Sequence, residues 1–100
     1  MGNLLAQAQR MQKALEDARA ELRDVRIEGS AGGGVVRAVV DGMGTVHGVH
    51  LTDEALSGAD RTLVEEMLKG ALVDAQTRAK REHDERLAKV TGGMDMPGLL

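Results

Sequence analysis

The sequence predicts an α+β fold, ordered α-β-β-β-α: a three-stranded antiparallel meander flanked by two long helices, in a homodimer. Three observations point there. An apolar stripe alternates steps of four and three through Leu4, Ala8, Met11, Leu15, Ala18, Leu22 and Val25. Residues 25–52 hold β-branched runs separated by glycine and Asp-Gly turn signals. Residues 60–90 return to helical spacing with dense charge.

The 4-3 stripe is the a/d seam of a helix that lies against another helix. It is about 33 Å long at the α-helical rise. The helix is expected from Asn3, a suitable N-cap, to Asp24, through good helix formers. Next, Val25 and Ile27 alternate with Arg26 and Glu28, as in a half-buried strand. Gly29-Ser30-Ala31-Gly32-Gly33-Gly34 reads as a flexible connector. Val35 to Asp41 is a second strand, Asp41-Gly42 a hairpin-turn pair, and Thr45 to Thr52 a third strand.

Asp53-Glu54-Ala55-Leu56 is expected to make a short turn. Asp60 is the expected N-cap of a helix to about Val90, with Glu65 and Glu66 suiting its dipole. Val64, Leu68, Ala71, Leu72 and Ala75 form its buried stripe, with Met67 beside it. Gly70 costs about 1 kcal/mol relative to alanine in a helix, and its expected use is close approach of another backbone. After Ala79 the pairs Arg78/Glu82, Lys80/Asp84, Arg81/Glu85, Glu82/Arg86 and Glu85/Lys89 support a helix in solvent. That segment is expected to project beyond the core, with Leu87 and Val90 its only substantial apolar groups. Gly92-Gly93 end the helix. Residues 1–93 thus form one domain, and Met94–Leu100 a tail broken by Pro97-Gly98. The tail is either flexible or a docking segment through Met94, Met96, Leu99 and Leu100.

Three short strands cover little of two long helices, so a second copy is expected to complete the core, in the commonest oligomeric form. The partner of the first seam is expected to be the Val64–Ala75 face, within one chain or across the dimer.

The chain has 100 residues and contains no Phe, Trp, Tyr or Cys. Leu, Val, Ala and Met must build the core that aromatics usually fill. Disulfides, thiolate catalysis and thiolate metal sites are excluded. No apolar run nears the ~18 residues of a membrane span, so a cytoplasmic protein is expected. His47 and His50 are three apart on a strand, and point to opposite faces rather than to one metal. His83 reads as a surface or interface side chain. The glycine run lacks a Gly-Lys-Ser/Thr ending and leads into a strand, so it is no phosphate loop. Ser30 and Ser57 sit in no nucleophile motif. No enzyme activity, cofactor, metal, membrane or small-molecule substrate is expected.

The formal net charge is -3, but it is unevenly placed. Residues 1–26 hold five basic and four acidic side chains, residues 27–75 three and eight, and residues 76–100 five and four. The acidic middle lies between mildly basic ends, which suits an anionic partner at the ends.

Several segments, in order, resemble the YbaB/EbfC family of bacterial nucleoid-associated proteins. Asn3-Leu4-Leu5 leads into Gln7-Ala8-Gln9-Arg10-Met11-Gln12-Lys13, similar to the family's opening helix. Glu28 to Arg37 resembles its glycine connector and second strand, and Asp41-Gly42 its hairpin turn. Asp53 and Leu56 resemble its acidic-leucine element, and Leu72-Val73-Asp74-Ala75 its apolar-Asp-Ala stretch. Thr91-Gly92-Gly93-Met94 and Pro97-Gly98 are similar to its ending. The resemblance covers nearly the whole chain. It implies a tweezer-shaped homodimer that binds double-stranded DNA with limited sequence preference in the nucleoid, in nucleoid organisation or gene regulation. Around the third strand, where the family has polar or basic residues, Val46-His47-Gly48-Val49-His50 carries only neutral or weakly titrating groups.

DNA affinity comes mainly from Lys and Arg at phosphates. On the first helix, Arg10 and Lys13 share a side, and Arg19 and Arg23 share the opposite flank. Together with Arg78 and Arg81 of the last helix, they are the candidate phosphate contacts, which position a protein without reading bases. With no aromatic side chains, recognition of single strands by base stacking is disfavoured. The alternative is a protein-interaction module whose helical arms bind a protein partner without DNA.

Overall fold

The apolar stripe of the first segment does form a helix, α1 (Gly2–Asp24), which includes Asn3 within it. The computed structural model describes residues 2–58 and 60–92. Gly93 and the expected tail Met94–Leu100 lie outside the described residues. After α1 come β1 (Arg26–Ala31), β2 (Val36–Asp41), β3 (Val46–Leu51), α2 (Asp53–Leu56) and α3 (Arg61–Val90). The strands form one antiparallel sheet in the order β1-β2-β3. Among the described residues no helix is long and apolar enough to cross a membrane.

The glycine segment departs from its expected role as a connector. Gly29, Ser30 and Ala31 belong to β1, where Gly29 pairs with Ala38. Only Gly32, Gly33, Gly34 and Val35 make the turn between β1 and β2. The three glycines in it all have positive φ, at 63°, 73° and 98°, which glycine adopts without penalty. Gly29 serves another purpose. A methyl built on it would lie 2.5 Å from the Ala71 carbonyl oxygen and 2.6 Å from Ala75 Cα. The backbone of α3 therefore rests directly on β1. This is the close approach expected at Gly70, which is instead exposed.

One face of the sheet meets α3. Val36, Ala38 and Val40 alternate along β2 and are fully buried with Ala71, Ala75 and Ala79 of α3. Ile27, Ala31, Met67, Leu68 and Leu72 pack around them. Small residues on both sides bring helix and sheet close together, so this core needs no aromatic side chains. The Val64–Ala75 face thus lies on its own sheet, and within the chain it is not the partner of the α1 seam.

That partner is the far end of α3. Leu15 and Ala18 bury against Leu87, with Met11 and Val90 alongside. Arg86 reaches Glu21 at 3.7 Å. Rising numbers on α1 thus meet falling numbers on α3, and the two helices run antiparallel. The segment after Ala79, expected to project alone, is held to α1 because Leu87 fits the seam. α1 itself runs on beyond α3: Leu4 is 75% exposed and Leu5 65%. The molecule is accordingly long, 69 × 21 × 16 Å.

The α3 ends follow local chemistry. Asp60 Oδ1 accepts from the Thr62 and Leu63 N–H groups at 3.0 and 3.4 Å, as an N-cap should. Gly92, with φ 67°, follows the last turn, and its N–H donates to the Lys89 carbonyl at 3.3 Å.

The Asp41 turn ties the sheet to α1. The Gly42 N–H donates to the Leu22 carbonyl at 2.7 Å, and the same Leu22 would crowd any side chain at Gly42. Asp41 is buried; its Oδ1 accepts from the Met43 and Thr45 N–H groups at 2.8 and 3.1 Å. His47 Nε2 lies 2.8 Å from Oδ2. His47 is available because it is the extra residue of a bulge, between Val46 opposite Val40 and Gly48 opposite Val39. The His47 hydrogen bond, with those two N–H groups, holds the Asp41 carboxyl below its usual range against the effect of burial. A depressed carboxyl stabilises the fold above its unfolded pKa, and that gain is lost as pH falls through the folded one. Asp41→Asn is therefore expected to lower the urea midpoint at pH 7. The gap to the wild type should close as pH falls below about 4. A gap that stays constant with pH would contradict this role of the charge.

Candidate nucleic-acid interface

Where α3 leaves the sheet, its flank and β1 enclose an open groove of about 510 Å³. Arg78 and Arg81 line it from α3, one helical turn apart, and Arg26 lines it from β1. Arg26 also closes the end of α1: its Nη1 donates to the Arg23 carbonyl at 2.8 Å and the Val25 carbonyl at 3.1 Å. A cation there complements the negative end of the helix dipole. Glu82 and Glu85 of α3 and Glu28 of β1 also line the groove.

Not every cation is equally committed. Arg78 Nε donates to Asp74 Oδ1 at 3.1 Å. The Ser30 N–H also donates to Asp74, at 3.0 Å. These two bonds, Ser30 first, hold the Asp74 carboxyl below its ordinary range. Arg86 is bound between Glu82 and Glu21, and Lys80 meets Asp84. Among the described residues, Arg81 and Lys89 form no ion pair. Two of the five opposite-charge pairs expected along this helix therefore form, Lys80/Asp84 and Glu82/Arg86. Arg78 chooses Asp74 because that carboxylate lies a turn towards the sheet, where Ser30 already fixes it.

The six candidate cations do not gather in one place. Arg78 and Arg81 share the groove. Arg10 lies on the α1 flank that also carries Asp17 and Glu21, by their spacing of seven and four residues. Glu21 meets Arg86, so this flank turns towards α3. Lys13 is exposed on the back of α1 and pairs with Asp17 at 3.3 Å. Arg19 and Arg23 lie on the other flank, Arg19 half-buried and Arg23 exposed. Arg10 and Arg23 form no ion pair among the described residues. Lys13–Asp17 is an exposed pair, worth about 0.2–1 kcal/mol or less, so a phosphate can displace the acid at little cost.

Arg26 was not among the residues expected from sequence to make this surface. A basic residue just past a helix end is a readable capping signal, but its place beside Arg78 depends on long-range packing. His83 is half-buried, with Nδ1 3.0 Å from Asp84 Oδ1. Among the described residues no cluster of three or more His, Cys, Asp or Glu side chains is placed to hold a metal ion.

Comparison with known proteins bears on this surface. Residues 1–94 match the model of the YbaB/EbfC DNA-binding family. The chain is 39% identical over 99 residues to a protein of Nocardia farcinica named "Nucleoid-associated protein", covering 99% of this chain and 90% of that one. A crystal structure of an uncharacterised protein from Helicobacter pylori superposes with a TM-score of 0.76 at 22% identity. The match covers 93% of this chain and 97% of the other, and establishes a shared fold.

Proposed function

The chain belongs to the YbaB/EbfC DNA-binding family, and on that premise we propose that it binds double-stranded DNA as a homodimer, through phosphate contacts from its basic helix faces. Its place is the nucleoid, in nucleoid organisation or gene regulation. The family match over residues 1–94 carries the reading. The placement of cations supports it: Arg78 and Arg81 open onto one groove with Arg26, and Arg10 lies on the α1 flank that turns towards α3. Arg81 and Arg10, free of carboxylates, are the first contacts. Lys13 exchanges the exposed Asp17, and Arg78 the half-buried Asp74, for phosphates, and Arg19 and Arg23 serve a backbone on the other flank.

The dimer is supported by an edge left open. On β1, Asp74 accepts the Ser30 N–H and blunts the edge. β3 has no such cover among the described residues. Val46, Val49 and Leu51 share the α3-facing side of the sheet through their partners Val40, Ala38 and Val36, yet remain exposed. Exposed, unpaired apolar edges are templates for pairing. Light scattering is expected to give twice 10.6 kDa, and a folded monomer at micromolar concentration would contradict the dimer.

The DNA reading is tested by gel shift of a duplex at low salt. The Arg10→Glu, Lys13→Glu, Arg78→Glu, Arg81→Glu variant is expected to bind at least about a hundredfold more weakly, since each lost phosphate contact removes a counterion-release contribution. Unchanged affinity in a folded variant would overturn the phosphate contacts.

A further inference from the structure

We propose that the outer face of the sheet, turned away from α3, is an oxyanion site centred on Arg37, with Ser30 and His50 at its sides, that takes a phosphate group. The strand register places these three in one row: Ser30 opposite Arg37 on β1, and His50 opposite Arg37 on β3. Directly opposed residues point to the same face, about 5 Å apart. A hydroxyl, a guanidinium and an imidazole therefore stand side by side, each able to donate a hydrogen bond.

Arg37 is half-buried, and its Nε is shut off from solvent with no hydrogen-bond partner. Arg61, Arg78 and Arg86 each meet a carboxylate, and Arg26 meets two carbonyls. Glu28 stands on the same face, opposite Val39, but forms no ion pair with Arg37. A partly desolvated cation without a counter-charge is unfavourable, and an oxyanion relieves it. Gly48 turns to this face as well, opposite Val39. A methyl built on it would meet nothing within 4 Å. The space beside the Arg37–His50 pair is therefore open.

A group seated there accepts the free edge of the Arg37 guanidinium and is flanked by donors on β1 and β3. Three donors on three strands suit a tetrahedral phosphate better than a two-oxygen carboxylate. The site is separate from the helical cations described above. A free phosphate and a DNA phosphodiester present the same chemistry.

The test uses the full chain, isotope-labelled, titrated with inorganic phosphate against chloride at matched ionic strength and pH. Saturable shifts of the Ser30, Arg37, Gly48 and His50 amides are expected with phosphate and not with chloride. Arg37→Gln is expected to weaken them at least about tenfold, the equivalent of one charge-assisted contact. Gly48→Val keeps every donor, puts a branched side chain into the open space beside the Arg37–His50 pair and is expected to weaken them too, which guards against misfolding of the Arg37 variant. In a second arm, duplex affinity is measured against salt. A slope flattened by about one in Arg37→Gln assigns the site to the DNA backbone; an unchanged slope with lost phosphate shifts assigns it to a free phosphate. No saturable phosphate shift together with an unchanged slope overturns the proposal, as do shifts that ignore both substitutions. Failure of the wild type to bind duplex counts against the preceding function and leaves the phosphate arm standing.

Discussion

Gly29→Ala is expected to destabilise the protein by about 3 kcal/mol, the upper part of the usual range for overpacking. Most overpacked cores yield by rotating a side chain. Here the added methyl meets backbone, the Ala71 carbonyl and the Ala75 main chain, and helix and strand must part. Parting them opens the layer of Val36, Ala38, Val40, Ala71, Ala75 and Ala79 that forms the main core. Such a loss is a large share of the ~5–15 kcal/mol that holds a domain of this size together. Urea unfolding followed by circular dichroism measures it. Gly70→Ala is the matched control, since a methyl there meets only Ala31 Cβ at 3.4 Å. Its midpoint is expected to hold or rise, because alanine favours a helix. Equal effects at the two glycines would contradict the packing described for β1 and α3.

Leu87→Ala is expected to cost about 3 kcal/mol, in line with buried leucine truncations elsewhere. Leu87 is fully buried, and with Leu15 and Ala18 forms the smaller of the two cores. The effect should be local. Hydrogen exchange is expected to quicken along α1 and the last turns of α3, while β2, on the other core, keeps its protection. Unchanged exchange in α1 would mean that something other than α3 holds that helix.

The two helices, the three strands and the Asp41-Gly42 turn were legible because each rests on local chemistry. The α1 stripe has helical period, Asp60 caps its own helix, and residues 35–41 are rich in valine. Two features were not legible. Gly29 carries the same signal whether it bends a chain or admits a neighbouring backbone, and only the packing of α3 distinguishes them. The α1 seam shows that it needs a partner without naming one. Leu87 and Val90 read only as the apolar groups of a charged, projecting segment, because the pairing of Leu87 with Leu15 joins residues far apart in sequence. The same limit governs the interface. Basic residues could be chosen by helix face, but which of them meet depends on the antiparallel crossing of α1 and α3. The packing of β1 on α3 brings Arg26 to Arg78, and the crossing leaves Arg23 on the far flank of α1. His47 was read from strict alternation, and the bulge turned it to Asp41 instead.

The acidic net charge makes the DNA reading demanding, since a protein of charge -3 must bind a polyanion through local surface alone. The affinity of the wild-type chain for duplex DNA as a function of salt tests this most directly. Phosphate contacts predict a straight line of log affinity against log salt, with a negative slope of about 0.9 for each phosphate engaged, and several engaged per dimer. An affinity that does not change with salt would contradict the account.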